Sequence, residues 1–462
     1  MEWLAMALAP GEARKDLSAD ALFGSLRSRF ASLPDPRSGE VEIPLADALM
    51  SAFAMFSLKD PSLLAFDHRR HNPKDNFRTI YGINRVPCDS QLRDILDPID
   101  PANLRTPFRE IFRRLQRGQV LKRFVYLDGH YLLSLDGTTY FSSSKIHCSS
   151  CLEKHHRNGS VSYSHQLLGA TLVHPDLKEV IPLAPEPIIQ QDGHTKNDCE
   201  RNATRRWLKQ FRQEHPHLPI IVVEDALSAN APHLNDLAEA DTRYIIGVKP
   251  GDHKFLFEHL RALDEAGQMQ VLTLVDPDTG MLHHFRFGNR VPLNESHPDV
   301  LVNVLEYWEF DRDLRDLKKV QHFSWISDFL LTPDNVWDIM RGGRARWKIE
   351  NETFNTLKNQ GYHLEHNYGH GEQNLSVVLA LLMMLAFLVD QVQQLCCPLF
   401  KAAWDKMKTK CHLWDEIRSH FRTLLFDSMA DLLWALVCGI EPQKPVLMRG
   451  IAPQRPVFEN TS

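Results

Sequence analysis

The stretch "LSVVLALLMMLAFLV" at residues 375–389 constrains the fold of this chain more than any other segment. It carries no charged side chain, yet its fifteen residues fall short of the roughly 18 or more that a membrane-spanning helix needs. We interpret it as a helix buried in a protein core. A chain of 462 residues with 43% hydrophobic residues can surround such a helix, and its length indicates about two to four domains.

The charge of the chain gives no overall signature of a nucleic-acid-binding protein, because the formal net charge is −6. Local patches nevertheless set a binding field. Seven basic residues and one acid, Glu110, lie between Arg105 and Arg123. They predict a helix that packs through Phe108 and its apolar neighbours, and its basic side either faces DNA or is simply solvated.

The location of the protein is indicated by its cysteines and its first residues. The eight cysteines are scattered, and such a distribution is typical of a reducing compartment rather than of a disulfide framework. "MEWLAMALAP" has Glu2 where a signal peptide would carry basic residues. We therefore expect a cytoplasmic protein that does not contact a membrane.

The order of predicted elements indicates a mixed α/β (α+β) fold whose sheet has flanking helices. Apolar runs typical of strands begin near residue 124 and then alternate with helices, and "IIVVE" predicts a strand that is buried on both faces. Two Asp-Gly pairs, Asp128-Gly129 and Asp136-Gly137, predict hairpin turns. The expected organisation is a helical N-terminal region with a potential for DNA binding (1–120), a core (121–250 and 321–395), a mostly β insertion (251–320), and a helical C-terminal region with a loose tail (396–462).

The segment "RARWKIENETFNTLKNQGY", residues 344–362, is predicted to be one helix with two glutamates of unequal role. At 100° per residue, Glu350 shares an apolar face with Trp347 and Phe354, whereas Glu352 lies on the opposite, solvated side. An acid on an apolar face needs a cation. Either Arg346, four residues earlier, forms a structural ion pair with Glu350, or Glu350 is functional.

Two further acids follow predicted strands and can converge with Glu350. Asp136 comes after "LLSL" and Asp225 after "IIVVE". Three carboxylates form an oxygen-only site that suits Mg²⁺ or Mn²⁺, and two such ions can activate an attacking hydroxyl and stabilise a leaving oxygen. The alternative for either aspartate is a turn or cap residue.

The order of these motifs resembles that of a known family. "DGTT", "VVEDALSAN", "YIIGVKPGDH" and "RWKIENETFNTLK" together resemble the DDE transposases of bacterial insertion sequences, of the insertion-sequence-4 type, over roughly residues 125 to 390. The resemblance implies a ribonuclease-H-like fold with two divalent metal ions and a mostly β insertion before the last acid. It implies that Asp136, Asp225 and Glu350 are the catalytic metal ligands, with Asp128 as a competitor for the first position.

The resemblance also implies residues that contact DNA. Of the signature Tyr-x2-Arg-x3-Glu-x6-Lys, Arg346 and Glu350 are kept, but Gly343 and Leu357 stand at the tyrosine and lysine places, with Lys358 one residue late. An aromatic residue of the insertion would hold a flipped base. The candidates for nucleic-acid contacts are Arg346, Lys358, Trp308 (then Tyr307), Lys249 following Val248, and Lys196, which precedes a predicted helix start at Asn197.

Cysteine and histidine residues form a separate candidate metal site. "IHCSSCLEKHH" offers Cys148 and Cys151 with His155 or His156, and this spacing suits zinc if His165 or Cys199 supplies a fourth ligand. The alternative is a histidine-rich loop with two reduced thiols. His363, His366 and His370 in "GYHLEHNYGHG" lack the order of a zinc hydrolase and predict a loop near the metal site or DNA.

These observations lead to the expectation of a DNA transposase that uses two Mg²⁺ ions to cut at the ends of a mobile element and to join the 3′-hydroxyl to target DNA. Its partner would be double-stranded DNA, both terminal inverted repeats and target. The resemblance implies a homodimer in the DNA complex and a location at the bacterial nucleoid. The alternatives are a metal-dependent nuclease without strand transfer, an inactive transposase-derived DNA-binding protein, and a zinc hydrolase.

Overall fold

The computed structural model describes residues 15–72, 75–189, 199–310 and 319–439. Its eleven strands form one mixed sheet with helices packed around it, which confirms the mixed α/β fold. The strands are β1 (Tyr131–Ser143), β2 (Leu152–His155), β3 (Val161–Val173), β4 (Ile181–Pro182), β5 (Glu186–Ile188), β6 (Ile220–Glu224), β7 (Arg243–Gly247), β8 (Gln270–Val275), β9 (Leu282–Asn294), β10 (His297–Phe310) and β11 (Lys319–Ser327).

The middle of the sheet combines an antiparallel pair with two parallel strands. β1 pairs antiparallel with β3 on one side and parallel with β6 on the other, and β7 then lies parallel to β6. All five residues of β6 are buried, as its apolar sequence predicted. The carboxyl ends of β1, β6 and β7 therefore point the same way.

The strands of the insertion continue this sheet instead of forming a separate layer. β11 pairs antiparallel with β7, and the sheet extends through β10 and β9 to β8. Trp325 of β11 lies opposite Gly247 of β7 in this register. The sheet therefore connects the insertion to the core by backbone hydrogen bonds.

Helices occupy both ends of the chain and the connections between strands. The N-terminal helices are Ala19–Ala31, Leu45–Ser57, Leu63–Arg70, Asn76–Tyr81, Asp89–Leu96 and Arg105–Arg117. Between strands lie Glu200–Glu214, Ala231–Glu239, Lys254–Glu265 and Val336–Ala345, followed by a π-helix, Ile349–Phe354, and the short helix Asn355–Asn359. The remaining helices are Leu375–Cys396, Pro398–Met407, Lys410–Thr423 and Met429–Cys438.

The helix Leu375–Cys396, called the core helix below, contains the apolar run and is enclosed by protein. It is long and apolar enough to cross a membrane by composition, but the residues of its most apolar window are all buried inside the molecule. It packs against the N-terminal helix Leu45–Ser57, the last helices and β4. This enclosure is consistent with the core of a soluble protein.

The prediction of two Asp-Gly turns is right once and wrong once. Asp128 and Gly129 adopt positive φ angles of 50° and 77° in a tight turn that leads into β1. Asp136 and Gly137 instead lie inside β1. The carboxylate end of the Glu200 side chain lies close to Gly137, where a Cβ atom would meet it, so this glycine lies at a close approach and not in a turn.

The helical wheel of 344–362 is also partly wrong, because the segment is not one regular helix. The π-helix Ile349–Phe354 has a wider repeat than 3.6 residues and so changes which residues share a face. Trp347, placed on the apolar face by the wheel, is 46% exposed, and Glu350 is exposed rather than embedded among apolar groups.

A buried ion pair joins the N-terminal helical region to the core helix, close to Tyr362. Lys59 Nζ lies 2.6 Å from Asp390 Oδ2 of the core helix, and both side chains are almost completely buried. The ammonium also lies 4.4 Å from the ring centroid of Tyr362 and 4.2 Å from that of Trp414. The pair thus connects an N-terminal helix end, the core helix and the C-terminal helices.

Asp390→Ala should reduce the free energy of unfolding by about 3–5 kcal/mol, because Lys59 would remain buried without its counter-charge. Urea denaturation measures this change. Asp75→Ala is the control, since Asp75 pairs with Arg78 at the surface and its loss should cost less than about 1 kcal/mol. Equal effects of the two substitutions would contradict the importance of the buried pair.

Candidate active-site cleft

Two aspartates meet just beyond the point where the parallel pairing of β1 and β6 ends. β1 and β6 are in register from Tyr131 opposite Ile220 to Ser134 opposite Val223. Two residues further along each strand, this register places Asp136 beside Asp225. Asp225 follows β6 directly, and its Oδ1 accepts a hydrogen bond of 2.9 Å from the backbone N–H of Leu227. Asp225 therefore also caps the turn that ends the strand.

Glu350 reaches the same place from the π-helix, which packs on the sheet beside Asp136. Gly169 of β3 lies opposite Asp136, and a side chain there would collide with the ring of Phe354. The Ser134 hydroxyl donates a hydrogen bond of 3.2 Å to the carbonyl of Arg346. These contacts hold the beginning of the π-helix against β1 and β3.

One cleft contains all three predicted acids, and Glu352 does not line it. We call it the acid cleft; its lining consists of Asp136, Gly137, Thr138, Asp225, Arg346, Glu350, Asn351, Phe354, Asn355 and Lys358. Arg346 Nη1 lies 3.5 Å from Asp136 Oδ2. In the described contacts the arginine thus pairs with Asp136 and not with Glu350, so the predicted alternative of an Arg346–Glu350 ion pair is wrong.

The acid cleft has an excess of negative charge. Burial, together with the carboxylates of Glu200 and Asp225, raises the pKa of Asp136 to about 6, although the Arg346 guanidinium opposes this rise. Burial and the charges of Asp225 and Glu224 likewise raise the pKa of Glu200. A divalent cation would relieve this repulsion, so the residues present fit such an ion.

Glu200 is a fourth acid near this site, and the sequence analysis did not identify it. It begins the helix Glu200–Glu214 and lines a second hollow, which shares Asp136 and Asp225 with the acid cleft. The signal that could have identified it is Gly137, because a glycine inside a strand often marks the close approach of another group.

A buried pair supports the strand end behind Asp225. Glu224 Oε2 and His233 Nε2 are 2.5 Å apart, and both side chains are nearly inaccessible. Burial opposes protonation of His233, but the charge and hydrogen bond of Glu224 raise its pKa. The pair ties β6 to the helix Ala231–Glu239 and so fixes the backbone that carries Asp225.

The three predicted acids are not as compact as a closed metal site. Among the described residues, the one set of metal-ligating side chains with all donor atoms within 4.8 Å of one another is Cys148, Cys151, His165 and His370. Carboxylates that share two ions about 3.5–4 Å apart must span a wider space than ligands of one ion. Asp136, Asp225 and Glu350 do not form such a compact set; what they share is the lining of one cleft.

The departures from the family signature have steric explanations. A side chain at Gly343, the tyrosine place, would collide with the indole of Trp325. Leu357, at the lysine place, is completely buried. Lys358 lines the acid cleft and its Nζ lies 2.8 Å from Glu365 Oε1.

The aromatic candidates of the insertion have different surroundings. Tyr307 is completely buried and shares a hydrogen bond of 2.7 Å with His283 Nδ1, so it is unavailable to a base. Trp308 is half-buried; its ring stacks on that of His322 at 4.8 Å, and the Arg286 guanidinium lies 5.4 Å from its centroid. Trp308 is therefore the accessible residue of the two.

Of the two other lysines proposed to contact DNA, Lys249 and Lys196, the structure describes only Lys249. Lys249 is exposed, two residues after Gly247, which lies against the backbone of Asp225 and Ala226. Lys196 and Asn197, the expected helix start, lie outside the described residues, as do the first 14 residues and the C-terminal tail from 440.

The helix Arg105–Arg117 buries its apolar side as predicted, and several of its basic groups form ion pairs. Arg105 pairs with Glu214 at 3.0 Å and with Glu186 at 3.4 Å, and Arg114 pairs with Glu110 at 3.3 Å. These pairs reduce the basic surface that remains for DNA.

The predicted zinc ligands are corrected in one respect. His155 is exposed and lies near Glu153 instead of near the cysteines, while Cys199 is exposed and outside the cluster. His165 and His370 face Cys148 and Cys151 instead. The sequence analysis missed His370 as a ligand because it is 219 residues from Cys151. Asp128, the competitor for the first acid, is exposed in its turn and does not line the acid cleft.

Comparison of the sequence with models of known protein families gives no match, and comparison with curated proteins gives none either.

Gly169→Val should displace the π-helix, because the added side chain would occupy the position of the Phe354 ring. We expect faster amide hydrogen exchange over residues 349–359 and a loss of about 1–3 kcal/mol in the free energy of unfolding. Gly24→Ala is the control, since a side chain there meets open space. Unchanged exchange over 349–359 in the valine variant would disprove this packing role.

Asp136→Asn should stabilise the protein at neutral pH in the absence of divalent metal. With a folded pKa of about 6 against the ordinary value of 3.8 for an aspartate, the folded state binds more protons than the unfolded state between these values, so stability falls as pH rises through this window. The variant should gain about 2 kcal/mol near pH 7.5 and much less near pH 4.5. Thermal unfolding at both pH values measures the difference. The exposed Asp128→Asn variant should show no such pH dependence, and an equal gain at both pH values for Asp136→Asn would refute the raised pKa.

Proposed function

We propose that this protein is a DNA transposase with a ribonuclease-H-like catalytic core. The observation that carries the proposal is that Asp136, Asp225 and Glu350, far apart in sequence, line one cleft together with Arg346 and Lys358. The motif order that resembles the insertion-sequence-4 type of DDE transposases gives the reaction class. The cytoplasm, at the bacterial nucleoid, is the proposed location.

The three acids would hold two Mg²⁺ or Mn²⁺ ions. Bound ions of this kind activate an oxygen nucleophile and stabilise the leaving oxygen of a phosphodiester. Asp136 and Asp225 would supply ligands from the rigid strand ends, and Glu350 would supply its ligand from the π-helix. Because Asp136 and Asp225 are fixed by the sheet, only Glu350 depends on helix packing for its position.

The two basic side chains of the cleft, Arg346 and Lys358, would have different roles. Arg346 compensates part of the charge of Asp136 and orients that carboxylate through their ion pair. Lys358 is paired with Glu365 at the surface, and a phosphate in the cleft would compete for this lysine. Lys196, Lys249 and Trp308 are the further proposed contacts with the DNA, the last through base stacking.

The proposed reaction has two stages on the same site. Water would first hydrolyse the DNA at the end of the element, and the freed 3′-hydroxyl would then attack a phosphodiester of the target DNA. The partners would be the terminal inverted repeats and the target duplex. A homodimer in the DNA complex would allow two ends to be joined together.

Glu350→Gln should abolish Mg²⁺-dependent cleavage of a duplex that carries the element's terminal sequence, whereas binding of that duplex should remain. The substitution removes a charged ligand and keeps the shape of the side chain. Glu352→Gln is the matched control two residues away, and it should cleave normally because Glu352 does not line the cleft. Gel assays of cleavage and of binding measure the two activities.

The same assay separates the proposal from its alternatives. If Glu352→Gln abolished DNA cleavage while Glu350→Gln still cleaved, the assignment of Glu350 to the site would be refuted. Strand joining is tested with pre-cleaved ends and a target plasmid. Cleavage without joining would indicate a nuclease, and binding without either would indicate an inactive DNA-binding descendant of a transposase.

A further inference from the structure

Four metal-ligating side chains converge at a place separate from the acid cleft. Cys148 and Cys151 come from the loop between β1 and β2, His165 from β3, and His370 from the segment between the helix Asn355–Asn359 and the core helix. Their donor atoms all lie within 4.8 Å of one another. Three distant parts of the chain thus direct sulfur and nitrogen atoms at one point.

Four of the six distances between these atoms match those of a tetrahedral site, and the other two lie within 4.8 Å. The two sulfurs are 3.9 Å apart, and His165 Nε2 lies 3.4 Å from each of them. His370 Nε2 lies 3.4 Å from Cys151 Sγ. Bond lengths of about 2.3 Å for Zn–S and 2.0–2.1 Å for Zn–N at tetrahedral angles separate two sulfurs by roughly 3.8 Å and a sulfur and a nitrogen by roughly 3.6 Å. The observed separations agree with both values.

The donor groups of this cluster lie in a largely buried pocket and face one another. Cys151 and His165 are each 1% exposed, and His370 is 8% exposed. The rings of Tyr140 and Phe141 lie beside the two histidines. A buried polar cluster of this kind is costly unless its groups are bound, and the Nε2 atoms that face the thiols are the ones available for a metal.

We propose that Cys148, Cys151, His165 and His370 bind one structural zinc ion. The two thiols would release their protons on binding, and the two thiolates would neutralise the charge of the ion. Two sulfur and two nitrogen ligands in a tetrahedral arrangement are typical of zinc. Because four protein ligands complete the coordination, no position remains for water or substrate, and the ion would not be catalytic.

The proposed zinc ion would fix the chain that follows Glu350. His370 belongs to the segment 360–374, which connects the glutamate-bearing helices to the core helix and contains few regular hydrogen bonds of its own. Binding of His370 to the β1–β3 pair closes this segment onto the sheet strands that carry Asp136. The ion would thus tie the segment that follows Glu350 to the strand pair that contains Asp136.

The experiment is metal analysis of the full-length protein, purified without added zinc or chelator. We expect one zinc ion per chain in the wild type, and loss of the zinc in Cys151→Ser and in His370→Gln. His155→Gln and Cys199→Ser are matched controls, because these exposed residues are the other ligand candidates from the sequence and do not belong to the cluster. Both controls should retain the ion.

A second measurement on the wild type remains informative if the cluster variants do not fold. X-ray absorption at the zinc edge should show two sulfur and two nitrogen neighbours at about 2.3 Å and about 2.0 Å. Coordination by oxygen and nitrogen alone, a wild-type protein without zinc, or a Cys148–Cys151 disulfide in its place would overturn the proposal. Loss of zinc from the His155 variant but not from the His370 variant would overturn it equally.

The outcome is independent of the proposed transposase activity. Glu350→Gln should keep its zinc while it loses cleavage, because Glu350 is not part of the cluster. A zinc-containing protein that cleaves no DNA would refute the function alone. A zinc-free protein with Mg²⁺-dependent cleavage would refute only the zinc site.

Discussion

The arrangement of the whole molecule depends on the need to cover the core helix Leu375–Cys396 on all sides. Its side chains from Leu375 to Leu395 are buried, so helices from the N-terminus, helices from the C-terminus and one side of the sheet must all pack against it. Hydrophobic burial of this extent favours one compact arrangement of distant segments. The ion pair between Asp390 and Lys59 further restricts how these segments pack, since a buried charge tolerates only a narrow range of positions for its partner.

Strand pairing in the sheet positions the acids that line the cleft. Parallel pairing of β1 and β6 aligns Asp136 with Asp225, and the glycine opposite Asp136 on β3 admits the π-helix that carries Glu350. Negative charge accumulates there because each carboxylate is placed by backbone geometry rather than by attraction to its neighbours. The raised pKa of Asp136 is the electrostatic cost of this placement. Burial is the first cause of this rise and the neighbouring carboxylates add to it, and perturbed pKa values of this kind are common at functional sites.

Sequence reasoning predicted the parts of this structure that depend on local patterns. The enclosed core helix, the buried β6 and the turn at Asp128-Gly129 all follow from composition and spacing within a few residues. It failed where a distant neighbour decides the outcome. Glu200 approaches Gly137 and the ring of Phe354 occupies the space beside Gly169, and such contacts cannot be read from adjacent residues.

The same limit explains the errors in the candidate sites. The helical wheel assumed a regular repeat, which the π-helix does not have. The zinc prediction chose His155 because it is close in sequence, whereas folding brings His370 to Cys151 over 219 residues. Spacing identified the two cysteines, but the ligands that complete the cluster are set by the tertiary fold.

The continuous pairing of β7 with β11 has a mechanical consequence. A domain joined by a flexible linker can swing, but strands that share backbone hydrogen bonds move as one rigid body over short distances. The face of the insertion that contains Trp308 is therefore held at a fixed distance from the end of β6, which precedes Asp225. In the proposed transposase, a DNA duplex that contacts both Trp308 and the acid cleft would therefore be held at a fixed distance between them.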